Sequence, residues 1–221
     1  MKFLNVNEKN GVIDMTSTMY PSKLEKITGI REFKVPEFST VYGVVLEGSV
    51  LCDTGRKTMV KHEYFCLTSG SAHVDGSAVF FTRFGFRGQT TYGGPIEESG
   101  RLCYIDNCSD TILVYPPRFG DPSISLLSFP KLITQRFHTH PSIRLGVIIR
   151  GEGTSETIDA KVPLVPGTAF CVHEREVHRF VTTTSSLDAV SFHPDGEWGP
   201  TDENHTLLNR TYGGKFMVTE Q

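Results

Sequence analysis

No apolar run in this chain of 221 residues approaches the roughly 18 residues that a membrane-spanning helix needs. Helical periodicity is also scarce. It is confined to a short turn expected within PSKLEKI at 21–27 and another near 202–208. Charge of one sign is missing too: 22 basic residues face 25 acidic ones for a net charge of −3, which argues against a general nucleic-acid binder. The five cysteines form no Cys-x-x-Cys pair, and Cys103 and Cys108 have no second pair downstream, so a zinc ribbon is not expected. An odd count leaves at least one thiol unpaired, as in reduced cytosolic chains. The opening MKFLNVNEKNGVIDM lacks the continuous apolar stretch of a secretory leader. The expectation is a soluble, cytoplasmic protein.

What the chain has in quantity is short strand-like runs. VYGVVL (41–46), YFCL (64–67), AVFF (78–81), LCYI (102–105) and TILVY (111–115) come first. ISLLSF (124–129), LGVII (145–149), TAFCV (168–172), RFV (179–181) and DAVSF (188–192) follow. Their length, β-branched and aromatic content and Gly/Pro punctuation predict an all-β chain, a sandwich or a barrel of two Greek keys. The segment YPPRFGDPS (115–123) suggests a boundary. Across it there is an echo: VVLEGSV (44–50) and VIIRGEG (147–153) each end on a glycine turn, and each is followed some 25 residues later by a histidine, His73 or His178. A duplicated unit of roughly 100 residues is the reading.

Of eight histidines, five lie between positions 138 and 193. Side chains at i and i+2 of a strand share a face, so His138-Thr-His140 can present two imidazoles to one metal ion. His178, from a neighbouring strand, would supply a third and leave coordination positions open. Three neutral imidazoles suit Fe(II), Mn(II), Ni(II), Cu(II) or Zn(II), and the ligand set does not choose among them.

The stretch HTHPSIRLGVIIRGEG…VPGTAFCVHEREVHRF over 138–180 resembles the two motifs of the cupin superfamily. His138, His140 and Gly151 match the first motif, and Pro166, Gly167, His178 and Phe180 match the second. The resemblance implies two tandem cupin-like barrels (double-stranded β-helix, or jelly-roll, units) with few short helices. Residues 1–30 would form an N-terminal extension, 31–118 a degenerate barrel and 119–221 a metal-binding barrel. His138, His140 and His178 would hold one divalent transition metal, Fe(II) before Mn, Ni or Zn. In the first half, counting back from Gly48 puts Val35, Glu37 and Val41 in the ligand slots, and only His73 survives. The chain departs from the motifs in three places. Arg144 stands where the first motif has glutamate, Leu132 where it has its early glycine, and His173, Glu174 and Arg175 replace the turn residues of the second.

Arg144 is the informative departure. A guanidinium fork suits a carboxylate, phosphonate or phosphate, so Arg144 is expected to bind an anionic substrate; the alternative is a salt bridge to Glu152, Glu156 or Glu174. His173 and His193 are candidates for acid–base chemistry. The polar segment DGEWGPTDENH (195–205), with the single Trp198, would cap the barrel mouth, and FGFRGQTTYGG (84–94) reads as a loop. The functional expectation is a metal-dependent enzyme on a small anionic molecule, first a non-haem Fe(II) dioxygenase. A metal-dependent isomerase or lyase and a non-catalytic ligand-binding cupin are the alternatives. A homodimer, with no nucleic acid or membrane partner, completes the picture.

Overall fold

The computed structural model describes residues 1–196. The expected turn near 202–208 and Trp198 lie outside them. Helix is confined to two 3-10 turns, at Thr54–Arg56 and Ile105–Asn107, and no helix among the described residues is long and apolar enough to cross a membrane.

Strands β1 (Lys2–Leu4), β2 (Gly11–Met15), β3 (Ser22–Lys34), β4 (Ser39–Cys52), β5 (Lys57–Val60), β6 (Tyr64–Leu67), β7 (Ser71–Phe84), β8 (Thr91–Gly93), β9 (Leu102–Cys103) and β10 (Ser109–Val114) make up the first half. The second half holds β11 (Ser123–Phe129), β12 (Arg144–Gly151), β13 (Gly153–Glu156), β14 (Lys161–Leu164), β15 (Ala169–Val172), β16 (Arg179–Val181) and β17 (Leu187–His193). They form three antiparallel sheets. One runs β2-β3-β7-β4-β6-β8 with β5 added to β4, one β1-β15-β12-β17-β11-β10-β9, and a small one β14-β13-β16. The last two enclose the second barrel.

The expected helical turn at 21–27 is instead the start of β3. In SKLEKI, Ser22, Leu24 and Lys26 are buried and alternate with half-buried residues, the period of two that a strand imposes. Pairing with β7 along all of β3 stabilises this alternation. Residues 1–30, read from the sequence as an extension, supply strands to both large sheets: β1 pairs with β15, and β2 and β3 pair with each other.

The continuous apolar runs VYGVVL and LGVII follow from burial on both faces. Val41 and Val45 enter a core inside the first barrel with Phe33, Phe65 and Phe80. Tyr42 and Val44, from the same strand, join Leu145, Val147, Ile149 and Phe192 in a core between the barrels. Ile148 turns into the second barrel beside Phe129, Phe170 and Phe180. The seam includes a stack of Phe81 on Phe192, with centroids 5.7 Å apart.

The repeat seen in sequence has a structural counterpart. Gly43 pairs with Phe65, and Gly146 with Phe170. A Cβ at Gly43 would lie 2.1 Å from the Phe65 ring and one at Gly146 2.2 Å from the Phe170 ring. Each glycine makes room for a phenylalanine laid across it. The turn glycines also correspond, Gly48 at φ 71° and Gly151 at φ 72°.

Candidate metal centre

The three histidines meet. One candidate ligand atom from each of His138, His140 and His178 lies within 4.8 Å of the others. The ring centroids stand 4.5 Å apart for His138 and His178 and 5.1 Å apart for each pair involving His140. His138 and His178 are joined by an isolated antiparallel bridge, so the segment before β12 and the one before β16 deliver their imidazoles side by side. Nδ1 of His138 lies 2.9 Å from the Arg136 carbonyl, and Nδ1 of His178 lies 2.9 Å from the Glu176 carbonyl. A carbonyl only accepts, so both Nδ1 atoms donate, and the lone pair sits on Nε2 of each ring. This is the orientation that outer partners impose on metal-ligating histidines.

The electrostatics agree. Burial, then the Arg144 charge and the other two imidazoles, push His140 down to about 3. Burial outweighs the Glu176 carbonyl bond and lowers His178 to about 4. Both rings are neutral at pH 7, as metal ligation requires. The donor set fits a divalent transition metal.

Beneath the histidines lies a pocket of about 550 Å³ including its open mouth. Leu127, Phe129, Phe170, Val172 and Phe180 give it an apolar lining, and Asp110, Ser125, Ser191, Arg144 and His193 contribute polar groups. Arg144, the first residue of β12, is 5% exposed. Its Nη1 donates to Ser142 Oγ (2.5 Å) and the Ile143 carbonyl (3.0 Å), and lies 3.5 Å from Asp195 Oδ1. The Ser142 hydroxyl also bonds Asp195. Among the described residues the acid beside Arg144 is Asp195 and none of the glutamates expected from the sequence. Glu156 pairs with Lys161 and Arg179, and Glu174 with Arg175.

His193, at the end of β17, lines the pocket. Burial above all, then Arg144 and His140, lowers its pKa well below the usual value, and its Nε2 has no hydrogen-bond partner among the described residues. His173, the other candidate for acid–base chemistry, has a different place. It sits in a turn, its backbone N–H bonded to Glu176 Oε2 at 2.9 Å, and is not among the side chains lining the pocket.

At the two other motif departures, two residues take a backbone conformation that favours glycine. Leu132 adopts φ 61° and Arg175 φ 55°, in the left-handed region. Leu132 is 82% exposed there. In the first barrel, His73 points outward and bonds Asp53 Oδ1 at 3.0 Å.

Sequence reasoning missed Asp110 and Asp195. Asp110 lies just before the run TILVY read from the sequence, and the structure extends that strand to include it at a buried position. Asp195 had no signal, because its partner lies 51 residues away.

The family model of the AraC-like ligand-binding domain matches residues 126–199. No curated protein matches the sequence. Among solved structures, the chain is similar to a cupin 2 conserved barrel domain protein from Leptotrichia buccalis, at 13% identity and a TM-score of 0.62 over 86% of this chain and 95% of that one. Protein Ylba from E. coli matches at 14% identity and a TM-score of 0.59, covering 87% of this chain and 84% of that one. Salicylate 1,2-dioxygenase from Pseudaminobacter salicylatoxidans matches at 11% identity and a TM-score of 0.57, covering 85% and 77%. Likeness at these identities is likeness of fold. Strand order, duplicated sheets and these neighbours together identify the architecture as the cupin fold, in two tandem units.

Proposed function

We propose that the second barrel is a metal-dependent enzyme site for a small anionic molecule, and that its chemistry is that of a non-haem Fe(II) dioxygenase. The observation that carries this is the group of three imidazoles, with no carboxylate among them, lining a largely apolar pocket. His138, His140 and His178 would hold the ion. Bound there, iron supplies the redox chemistry that no side chain of the pocket has.

The remaining roles belong to the chain itself. The phenylalanines and Leu127 take up the apolar body of the substrate and keep water away. Arg144 supplies positive potential: its charge is felt at both His140 and His193, and the same field favours an anion in the pocket. His193 can hold or release a proton at Nε2 next to that anion. The first barrel, with its phenylalanine-filled interior and outward His73, serves as a structural partner. A dioxygenase of this fold, salicylate 1,2-dioxygenase, solved also with gentisate bound to a variant, supports the reading.

Elemental analysis of full-length protein prepared without chelators, beside His138→Ala, tests this. Near-stoichiometric iron that is lost in the variant, with oxygen uptake on small carboxylates, supports the reading. Manganese, nickel or zinc with anaerobic turnover moves it to an isomerase or lyase. The match to a ligand-binding domain family favours a second reading, a binding cupin without turnover, which ligand-induced stabilisation with no product would support.

A further inference from the structure

One group in the pocket is not accounted for by metal binding or by the fold. Asp110 lies on β10, paired with Leu127 on one side and Leu102 on the other, and is 4% exposed. Its Oδ1 has no hydrogen-bond partner among the described residues, and it lines the same pocket as the three histidines. It is not one of the three clustered ligands. Burial alone raises its pKa, with no cation offsetting the cost. A buried carboxyl oxygen without a partner is expensive, and its persistence in a pocket points to an occupant that satisfies it.

We propose that Asp110 is a specificity-determining residue of the pocket, accepting a hydrogen bond from a hydroxyl or amino group at the end of the ligand remote from Arg144. Arg144 is on β12 and Asp110 on β10, three strands apart in one sheet. The register runs from Asp110 through Leu127 and Ala189 to Ile148, four residues along β12 from Arg144, so roughly 14 Å across the strands and about 13 Å along them separate the two backbones before barrel curvature shortens the distance. With both side chains reaching inward, the space between them suits an apolar body about one ring long. The ligand class is therefore a compact apolar molecule with an anionic group at one end and a hydrogen-bond donor at the other. This rests on the reading of the pocket as a small-molecule site. Sites built around a buried acceptor discriminate strongly against analogues that lack the donor.

The test uses the metal-loaded full chain and two parent probes, benzoate and cyclohexanecarboxylate, each beside its 4-hydroxy and 4-amino derivatives, with affinities from calorimetry. Wild type is expected to bind donor-bearing probes at least about tenfold more tightly than their parents. Asp110→Leu should erase that preference, leave metal content unchanged and raise the Tm of the ligand-free protein, since an unpaired acceptor has gone. Asp110→Asn, which keeps size and an acceptor oxygen but not the charge, should keep the preference for the hydroxyl and the neutral aromatic amino group and lose that for the ammonium of 4-aminocyclohexanecarboxylate; it carries the test if the leucine variant does not fold. Probes that bind wild type without regard to the donor, a preference that survives in Asp110→Leu, or a Tm that falls in both variants overturns the role of Asp110 alone. If no probe binds metal-loaded wild type, the small-molecule reading of the pocket falls with it.

Discussion

His138 and His178 face each other across a two-residue bridge in which each backbone N–H donates to the other's carbonyl, at 3.0 and 3.1 Å. The imidazole positions are thus fixed by main chain as well as by side-chain packing. A site held this way is pre-formed, and truncating one ring leaves the bridge intact.

His138→Ala should therefore abolish metal uptake with little loss of stability, because its ring is only partly buried. His178→Ala should cost more, about 1–3 kcal/mol, since its ring is 1% exposed and donates to the Glu176 carbonyl. For wild type, metal at 100 times its Kd adds about 2.7 kcal/mol. In a chain of this size that is about 5–10 °C of Tm, and a chelator should reverse it. Elemental analysis and thermal melts check both.

Acid should destabilise the metal-free protein before its carboxylates titrate. His140 and His178 are lowered from 6.5 to about 3 and about 4, so between pH 6.5 and those values the unfolded chain binds more protons than the folded one. Their stabilising contribution is complete above pH 6.5 and is lost as pH falls. At pH 5 this amounts to about 2 kcal/mol per imidazole, less at the partly exposed His140. His193 acts in the same direction, while Asp110, raised by burial, acts oppositely. Melts from pH 7.5 to 5 should show Tm falling. A flat profile would contradict three buried neutral imidazoles.

Leu132→Gly and Arg175→Gly should stabilise the protein, by about 1 kcal/mol each. Both residues hold positive φ, which costs a side-chain-bearing residue roughly 1–2 kcal/mol, partly offset by glycine's greater freedom in the unfolded chain. Denaturant melts measure the sign directly.

The barrels should unfold together. Phe192 of the second barrel is fully buried against Phe81 and Tyr42 of the first, so Phe192→Ala should cost about 3–5 kcal/mol. Wild type should show one thermal transition. Two transitions in wild type would mean that the shared seam does not couple the halves.

Removing Arg144 should destabilise by about 3 kcal/mol, the lower end of the range for broken buried pairs because Asp195 keeps some solvent contact. Asp195→Asn in the same background should restore part of the loss. A double-mutant cycle on denaturant-unfolding free energies measures it.

Strand positions were legible because alternation and β-branched runs are local. YFCL and RFV coincide with β6 and β16 residue for residue. The mistaken turn at 21–27 shows the limit: SKLEKI carries strong helix formers, and pairing with β7 overrides that preference. β13 and β14, with few apolar residues, left no local mark and exist because they close the second barrel.

By itself the sequence determined the all-β class, the duplicated glycine turns and the three metal-ligand candidates, because residue type, spacing and period are properties of contiguous chain. Tertiary structure decided the rest. Whether Arg144 meets Asp195, whether His173 or His193 reaches the pocket, and whether Asp110 stands in it without a partner depend on which distant strands lie side by side. Pairing across many tens of residues sets those neighbours, and no local pattern encodes it.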